Sequence, residues 1–515
     1  MAQSCPTKQL LELCVEAIST IQSECSLILS TTHPPEDPSS QAGLAGCGPA
    51  LVDLLSRQVA RISIYYQQLK PAGIRTALSP SEEQKLSLDR LSDIISISYS
   101  KFYAFLFKDL PTCWRQLYTD ASILKFCLIL LWTPCVYDHT PESRNASREQ
   151  VDKAGRQITQ LVKLLDYALI LAGAAGEQRG RKWVNKALLL LQSVWNELVI
   201  YPSVPKELDI IFSTIEPFTP PVKHPIQRID SLPIEAFQAY MDNPRDSNLG
   251  PEPLIIHGAI EEWPALTKNP WNKPSYLLSQ TFGGCRLVPV EIGRSYVDEG
   301  WGQKLITFGE FLREYIDPSL SPTQDSSTND TISTSSRAKP IAYLAQHPLL
   351  TQLPALRNDI LVPDYCYTAP PRHPTDSSID QPELDEPLLN AWFGPPGTIT
   401  PLHTDPYHNI LTQVVGRKYV RLYSPLSTER MQARGKENGV EMGNTSLMDV
   451  GVIEGWDSIP DDEEDGLSQE DLANFKEVPF LDCILEPGDA LYIPIGWWHY
   501  VRGLSVSFSV SFWWN

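Results

Sequence analysis

The sequence predicts an α+β chain: an all-helical N-terminal domain, residues 1–220, followed by a β-rich jelly-roll domain, residues 221–515. Three observations predict it. Apolar residues recur at helical spacing as far as about residue 215. The Pro-rich stretch "EPFTPPVKHPI" (216–226) then breaks that pattern. Beyond it come many short β-rich segments separated by turn residues. A chain of 515 residues exceeds one ordinary core, so a division into domains is expected on length alone.

In chain order, Leu10, Cys14, Ala17 and Ile21 share one helical face. "FCLILLW" (126–132) is the longest apolar run. It falls far short of the roughly 20 residues that span a bilayer, so it reads as a buried helix. "ITQLVKLLDYALILA" (158–172) and "WVNKALLLLQSVWNELV" (183–199) are amphipathic helices joined by a Gly/Arg-rich turn. Loops are expected near 33–48 and 138–146. No fixed-period repeat occurs. A stack of antiparallel helices of this kind docks a partner or covers another domain, and nothing in it names a chemistry. After the linker, strands are expected in 253–259, 285–293, 390–394, 409–416, 418–425, 482–501 and 504–514. In the last, Val506, Phe508, Val510 and Phe512 alternate with serines, the period of a half-buried strand. Two insertions interrupt the domain. One, near 321–338, is Ser/Thr-rich and reads as disordered; the other, 427–478, contains the acidic run "DDEEDGLSQED" (461–471), which reads as a solvated loop.

Net charge is −20. That excludes a body that wraps nucleic acid or lies on an anionic membrane, and it allows Arg/Lys-rich protein or peptide partners. The ten cysteines form no CxxC pair, which points to free thiols in a reducing compartment. "MAQSCPTKQLLELC" lacks a basic segment followed by an apolar one, so no signal peptide is expected.

The chemistry concentrates in "TPLHTDPYHN" (401–410). Among nine histidines, His403 is the one followed two residues later by an acid, Asp405. On an extended strand the two face the same way. They supply two thirds of the 2-His-1-carboxylate triad of non-haem Fe(II) oxygenases. Downstream, a third ligand must come from His408 or His499. His408 lies beyond Pro406 with the opposite parity, which makes it a packing neighbour. His499 opens a late strand after a Pro-Gly turn, and distant strands of a jelly roll meet inside the barrel, so His499 is the expected ligand. A buried histidine satisfied by a carboxylate, or a three-ligand zinc site, is compatible with the same residue types. Lys418 follows "VVGR" at a hairpin turn. A 2-oxoacid co-substrate needs such a cation for its far carboxylate, with Thr400 and Asn409 as flanking donors. On the surface, Lys418 and Arg417 would be ordinary turn residues.

"NAWFGPPGTITPLHTDPYHNILTQVVGRKYVRLYSP" (390–425) and "LEPGDALYIPIGWWHYVRGLSVSFSVSFWWN" (485–515) together resemble a Jumonji C (JmjC) domain of the Fe(II)/2-oxoglutarate oxygenases. Within that family the chain looks most like the lysine demethylase 8, or JmjC arginyl hydroxylase, branch; 288–316 and 342–366 resemble the same branch. The similarity covers roughly 225–515. It implies a double-stranded β-helix of the cupin-like type and iron at His403, Asp405 and His499. It also implies 2-oxoglutarate held by Tyr343, Thr400, Asn409 and Lys418, with O₂ as oxidant. Trp392 matches a pocket-lining position, and Glu291 and Tyr296 match substrate-side positions facing a basic side chain. Insertion 427–478 departs from the pattern and leaves specificity open.

The implied reaction decarboxylates 2-oxoglutarate to succinate and CO₂ and hydroxylates a substrate C–H bond. Arginine C-hydroxylation in a protein is the first expectation. Demethylation of a histone N-methyl-lysine is the second and hydroxylation of a modified tRNA base the third, although direct nucleic-acid binding is not expected. The alternative from another class is an inactive cupin-like scaffold or adaptor, against which the intact His403, Asp405, His499 and Lys418 argue. No membrane association is expected, the helical domain is assigned to partner recruitment, and nuclear or cytoplasmic residence follows from the resemblance alone.

Overall fold

Helix formation at the N-terminal end follows the apolar spacing. In helix α1 (Pro6–Ser30), Leu10, Cys14, Ala17 and Ile21 form the buried stripe. The computed structural model describes residues 5–31, 43–69, 80–105, 109–133, 148–177, 179–198, 210–297, 300–320, 341–437, 440–458 and 467–515. The chain divides into two compact units, residues 1–206 with 285–287, and residues 207–284 with 288–515.

In the first unit, α1 is followed by a 3₁₀ turn (Gly43–Cys47), α2 (Pro49–Leu69), α3 (Glu82–Phe102), α4 (Thr112–Leu130), α5 (Arg148–Ala172) and α6 (Gly180–Leu198). Ser81 starts α3 with a reciprocal capping box to Gln84, satisfying two orphan N–H groups. Helix α4 is buried on nearly every side and contains most of the "FCLILLW" run, and its interior polar residues include Gln116 and Asp120. Among the described residues the unit's interior holds buried charge pairs, Arg286 with Asp166 at 2.7 Å and a cluster around Arg179. Arg179, buried, donates Nε to Asp120 at 2.6 Å and Nη2 to Glu24 at 2.7 Å. The helical reading carried to residue 215 is corrected: α6 ends at Leu198, and 210–215 has no helix. The expected loops 33–48 and 138–146 lie largely outside the described residues, apart from the 3₁₀ turn. Among the described residues, no helix is long and apolar enough to cross a membrane.

The second unit is a β-sandwich. Its strands are β1 (Arg228–Asp230), β2 (Leu254–His257), β3 (Leu287–Ile292), β4 (Gly302–Thr307), β5 (Ala342–His347), β6 (Leu388–Gly394), β7 (Ile399–His403) and β8 (His408–Val415). They continue with β9 (Lys418–Tyr423), β10 (Lys436–Glu437), β11 (Val440–Glu441), β12 (Phe480–Leu485), β13 (Ala490–Ile493), β14 (Trp498–Gly503) and β15 (Ser507–Trp514). The two main sheets have the orders β1-β2-β13-β8-β15-β6-β5-β3-β4 and β12-β9-β14-β7, and β10 pairs with β11 in a separate two-stranded ribbon. Successive strands split between them: β6 and β7, β8 and β9, β12 and β13, β14 and β15 each change sheet at a turn. That alternation winds the chain into a double-stranded β-helix, the predicted fold class.

The turn between β8 and β9 needs Gly416. Its φ is +66°, and a Cβ there would strike the carbonyl oxygen of Val506. The main core packs Phe393 on Phe508 with ring centroids 4.6 Å apart. The expected half-buried β15 is a correction. Val506, Phe508, Val510 and Phe512 do alternate with serines, but Ser507, Ser509 and Ser511 are buried as well. The polar face lies in the sandwich interior, where Ser509 donates to Gln413 Oε1 at 2.7 Å and Ser511 accepts from Trp392 Nε1 at 3.0 Å. Insertion 321–338 lies outside the described residues. In 427–478, Met431, Met448, Val450, Phe475 and Val478 pack beneath β7, β9 and β14, so this segment carries part of the core. Of the acidic run, the described part starts a helix, Gln469–Lys476, capped by Ser468.

Candidate metal centre and active site

Strands β7 and β14 run antiparallel and place His403 directly opposite His499. The imidazoles lie 4.1 Å apart by centroid. Strand β7 ends at His403, yet Asp405, two residues on, turns its carboxylate to both rings: Oδ1 is 3.6 Å from His403 Nε2 and Oδ2 is 3.5 Å from His499 Nε2. One ligand atom from each residue falls within 4.8 Å of the others. This is the only such His/Cys/Asp/Glu group among the described residues. His403 Nδ1 meets the Pro401 carbonyl at 2.8 Å, and His499 Nδ1 meets the Trp497 carbonyl at 3.0 Å. A carbonyl only accepts, so each Nδ1 carries the proton and each Nε2 keeps a free lone pair. Burial pushes the Asp405 carboxyl up, but His499 and His403, when protonated at Nε2, outweigh it through charge and hydrogen bonds and hold it well below the usual carboxylate range; a metal takes the place of those protons. Two neutral nitrogens and one carboxylate, converging and buried, fit a divalent transition metal.

His408 is not part of this group. Its Nε2 donates to the Pro371 carbonyl at 2.9 Å, so Nδ1 accepts from the Tyr492 hydroxyl at 2.9 Å. Burial holds this ring's pKa down to about 4, so it stays neutral. It is the packing neighbour that strand parity predicted.

Beside the triad sits an unusual cation. Lys418 is 1% exposed, which excludes the surface-turn reading. Its Nζ donates to the Tyr343 hydroxyl at 3.1 Å, and Thr400 hydrogen-bonds that same hydroxyl. Among the described residues no carboxylate pairs with it, and burial lowers its pKa to about 7. A buried ammonium facing only hydroxyls suits an anionic ligand group. Its neighbour Arg417 points elsewhere, to Glu216 at 3.0 Å. Asn409 donates Nδ2 to Asp405 Oδ2 at 3.1 Å, while its buried Oδ1 has no hydrogen-bond partner. Tyr343 also packs against the half-buried Trp392, ring centroids 6.1 Å apart.

The substrate-side residues gather on the same ground. Glu291 pairs with Tyr343 in the β3–β5 register. Burial pushes its pKa up to about 7, partly offset by a hydrogen bond from Trp301. Tyr296 meets the Thr445 hydroxyl at 3.2 Å. Burial first, and then the charges of Glu291 and Asp405, push its phenol up to about 12. Tyr296 therefore lies within electrostatic reach of both acids.

Residues 244–515 match the family model of the cupin-like domain. The Danio rerio protein named "Lysine-specific demethylase 8" is 33% identical over 442 residues, covering 86% of this chain and 91% of that protein. The Xenopus tropicalis protein of that name is 39% identical over 272 residues, 53% of this chain and 50% of the other. The Drosophila melanogaster "Jumonji C domain-containing protein 5" is 29% identical over 424 residues, 82% and 85% of the two chains.

The chain belongs to the cupin-like JmjC oxygenases.

It is an enzyme of the iron- and 2-oxoglutarate-dependent dioxygenase class. All ten candidate residues of this JmjC oxygenase fall in one unit and around one centre. Sequence reasoning missed the contribution of its insertion. Thr445 bridges His403, Asn444 accepts from Thr404 N at 2.9 Å, and Ser446 N donates to Leu402 O at 2.8 Å. The insertion thus runs alongside the metal strand. Arg294 anchors it by donating to Asp449 at 2.7 Å and Asp457 at 3.2 Å. No motif marks these residues, because backbone bonds along a strand leave no trace in side-chain identity. Trp301 was missed because its side-chain hydrogen bond to Glu291 joins residues that no local spacing pairs.

Proposed function

We propose that this oxygenase uses Fe(II) and 2-oxoglutarate to oxidise a C–H bond on a cationic side chain of a protein, with arginine C-hydroxylation as the leading reaction. The observation that carries the cofactor reading is Lys418, a buried cation with no counter-charge among the described residues, beside a His-Asp-His group. His403, His499 and Asp405 would hold the metal, and Lys418, Tyr343 and Thr400 the far carboxylate of the 2-oxoacid. When bound, these groups supply oxidative decarboxylation and transfer of one oxygen atom into the substrate C–H bond.

The chain's own residues prepare the site. The Nδ1–H bonds of His403 and His499 fix both rings before any metal enters. Asn409 steadies Asp405, and its orphaned Oδ1 awaits a donor. Burial of Lys418 excludes water, so a carboxylate there gains a strong charge-assisted pair. Glu291 favours a cation once ionised, and Trp392 offers an aromatic surface.

A second reading, demethylation of N-methyl-lysine, is supported at least equally by the names of the relatives. It needs the same cationic pocket. Mass analysis of arginine and methyl-lysine peptides, incubated with Fe(II), ascorbate and 2-oxoglutarate, separates the two. One added oxygen on arginine supports hydroxylation; loss of a methyl group from lysine replaces it with demethylation. Absence of both products, and of succinate, in the presence of a broad basic-peptide library would overturn the reading.

A further inference from the structure

Between Glu291 and Tyr296, the two acidic and phenolic residues on the substrate side, the chain carries Arg294. Arg294 reaches into the insertion. Its Nη2 donates to Asp449 Oδ2 at 2.7 Å and its Nη1 to Asp457 Oδ2 at 3.2 Å. Asp457 Oδ2 also accepts from Arg502 Nη1 at 2.7 Å. Arg502 belongs to β14, three residues beyond His499. One carboxylate oxygen thus joins the substrate-side loop to a strand that carries a metal ligand. We propose, on the reading of a cationic substrate given above, that Arg294 is a positioning residue: it clamps segment 444–457 to segment 291–296, fixes Tyr296 beside the metal strand, and so sets the affinity for the basic side chain.

The local structure prepares both acids. Asp449 Oδ1 accepts from Val452 N at 3.1 Å and caps the short helix Val450–Ile453, while Oδ2 accepts from Arg294. Asp457 folds back over that helix. Gly451 permits this, because a Cβ there would strike Asp457 Oδ2. Trp456 N and Asp457 N both donate to Gly451 O, at 2.8 and 3.1 Å, and close the turn. The clamp acts on the site through Thr445. Its Oγ1 meets the Tyr296 hydroxyl at 3.2 Å, and its backbone bridges His403. On either side of that bridge, Thr404 N donates to Asn444 O and Ser446 N to Leu402 O. Tyr296 is therefore one contact removed from His403, held by a segment whose far end Arg294 holds.

Charge and position act in opposite directions here. Two guanidiniums meet two carboxylates, all at least partly buried, so the cluster is balanced. Loss of the Arg294 charge leaves an excess acid next to the substrate-side loop. By charge alone, a cationic side chain would then bind more tightly and its KM would fall. Release of Tyr296 makes KM rise instead. The sign of the change separates the two effects.

The test uses the full chain and the basic peptide that gains oxygen or loses a methyl group in the mass analysis above. Arg294→Gln should raise KM for that peptide about tenfold, while KM for 2-oxoglutarate and kcat at saturating peptide hold. Arg294→Lys keeps the charge but loses the planar fork, and should recover only part of the loss. Gly451→Ala displaces Asp457 with every charge retained, and should raise peptide KM in the same way. Amide hydrogen exchange reads the clamp without any substrate: in Arg294→Gln, Thr404 and Ser446 should exchange at least about tenfold faster, with β15 unchanged. A peptide KM that stays or falls in Arg294→Gln, or a KM for 2-oxoglutarate that rises with it, would overturn the proposal. So would unchanged exchange at Thr404 and Ser446. A wild-type protein that oxidises no basic peptide defeats the functional reading instead, and the exchange measurement then decides the clamp alone.

Discussion

Lys418 shows how one residue can lower stability and still be retained. Its burial costs folding free energy because the ammonium loses water and finds only hydroxyls. Lys418→Met should therefore leave the ligand-free protein as stable or more so in thermal melts. The same variant should lose about 2–5 kcal/mol of 2-oxoglutarate binding, read by calorimetry. The pKa of Lys418 is lowered to about 7, so the unfolded chain holds this proton to higher pH than the folded one. Ligand-free stability then rises with pH above about 7, while affinity for 2-oxoglutarate falls there, because binding must restore the charge. Glu291 has the opposite sense. Its pKa is raised to about 7, and a cationic substrate prefers the ionised form, so kcat/KM should climb through that region as pH increases. At limiting 2-oxoglutarate the profile should be a bell centred near 7. Saturating 2-oxoglutarate should remove the alkaline limb, and Glu291→Gln the acid limb. A profile unchanged by either treatment would separate these residues from substrate and co-substrate. His403→Ala should abolish 2-oxoglutarate turnover with the fold intact by circular dichroism; turnover surviving in that variant would refute the triad.

The β8–β9 hairpin and β15 decide what those residues see. Lys418 begins β9 immediately after the turn that changes sheet. Gly416→Ala meets both a left-handed backbone and the Val506 carbonyl. The expected cost is more than about 1 kcal/mol, since neither the backbone nor the carbonyl has room to move. Because the hairpin carries Lys418, KM for 2-oxoglutarate should rise alongside the loss of thermal stability. In β15 the alternation of Phe and Ser was legible, but which environment the serines faced was not. Period-two patterning reports that two faces differ; a wet exterior and a polar interior produce the same pattern. Ser509 and Ser511 settle it through Gln413 and Trp392.

At the scale of the whole molecule, charge and folding units matter. A net charge of −20 should draw basic peptides toward the protein, so KM for an Arg-rich peptide should rise with salt while kcat holds. A KM indifferent to salt would restrict recognition to the pocket. The helical unit depends on a different charge. Arg179→Met would leave Asp120 buried and unpaired, with an expected loss of about 3–5 kcal/mol read in denaturant melts.

The sequence by itself determined the fold class and the oxygenase family. Helical spacing, the Pro-rich break and alternating strands each depend only on local order. His403 and Asp405 are two residues apart, so one short segment presents them together, with Asp405 just past the end of β7. Tertiary structure alone decided what depends on contacts between distant segments. It set His499 opposite His403, buried Lys418 without a counter-ion, and laid Thr445 along the metal strand. Such contacts join residues tens to hundreds of positions apart, and their geometry is fixed by strand register and packing, which no local pattern encodes.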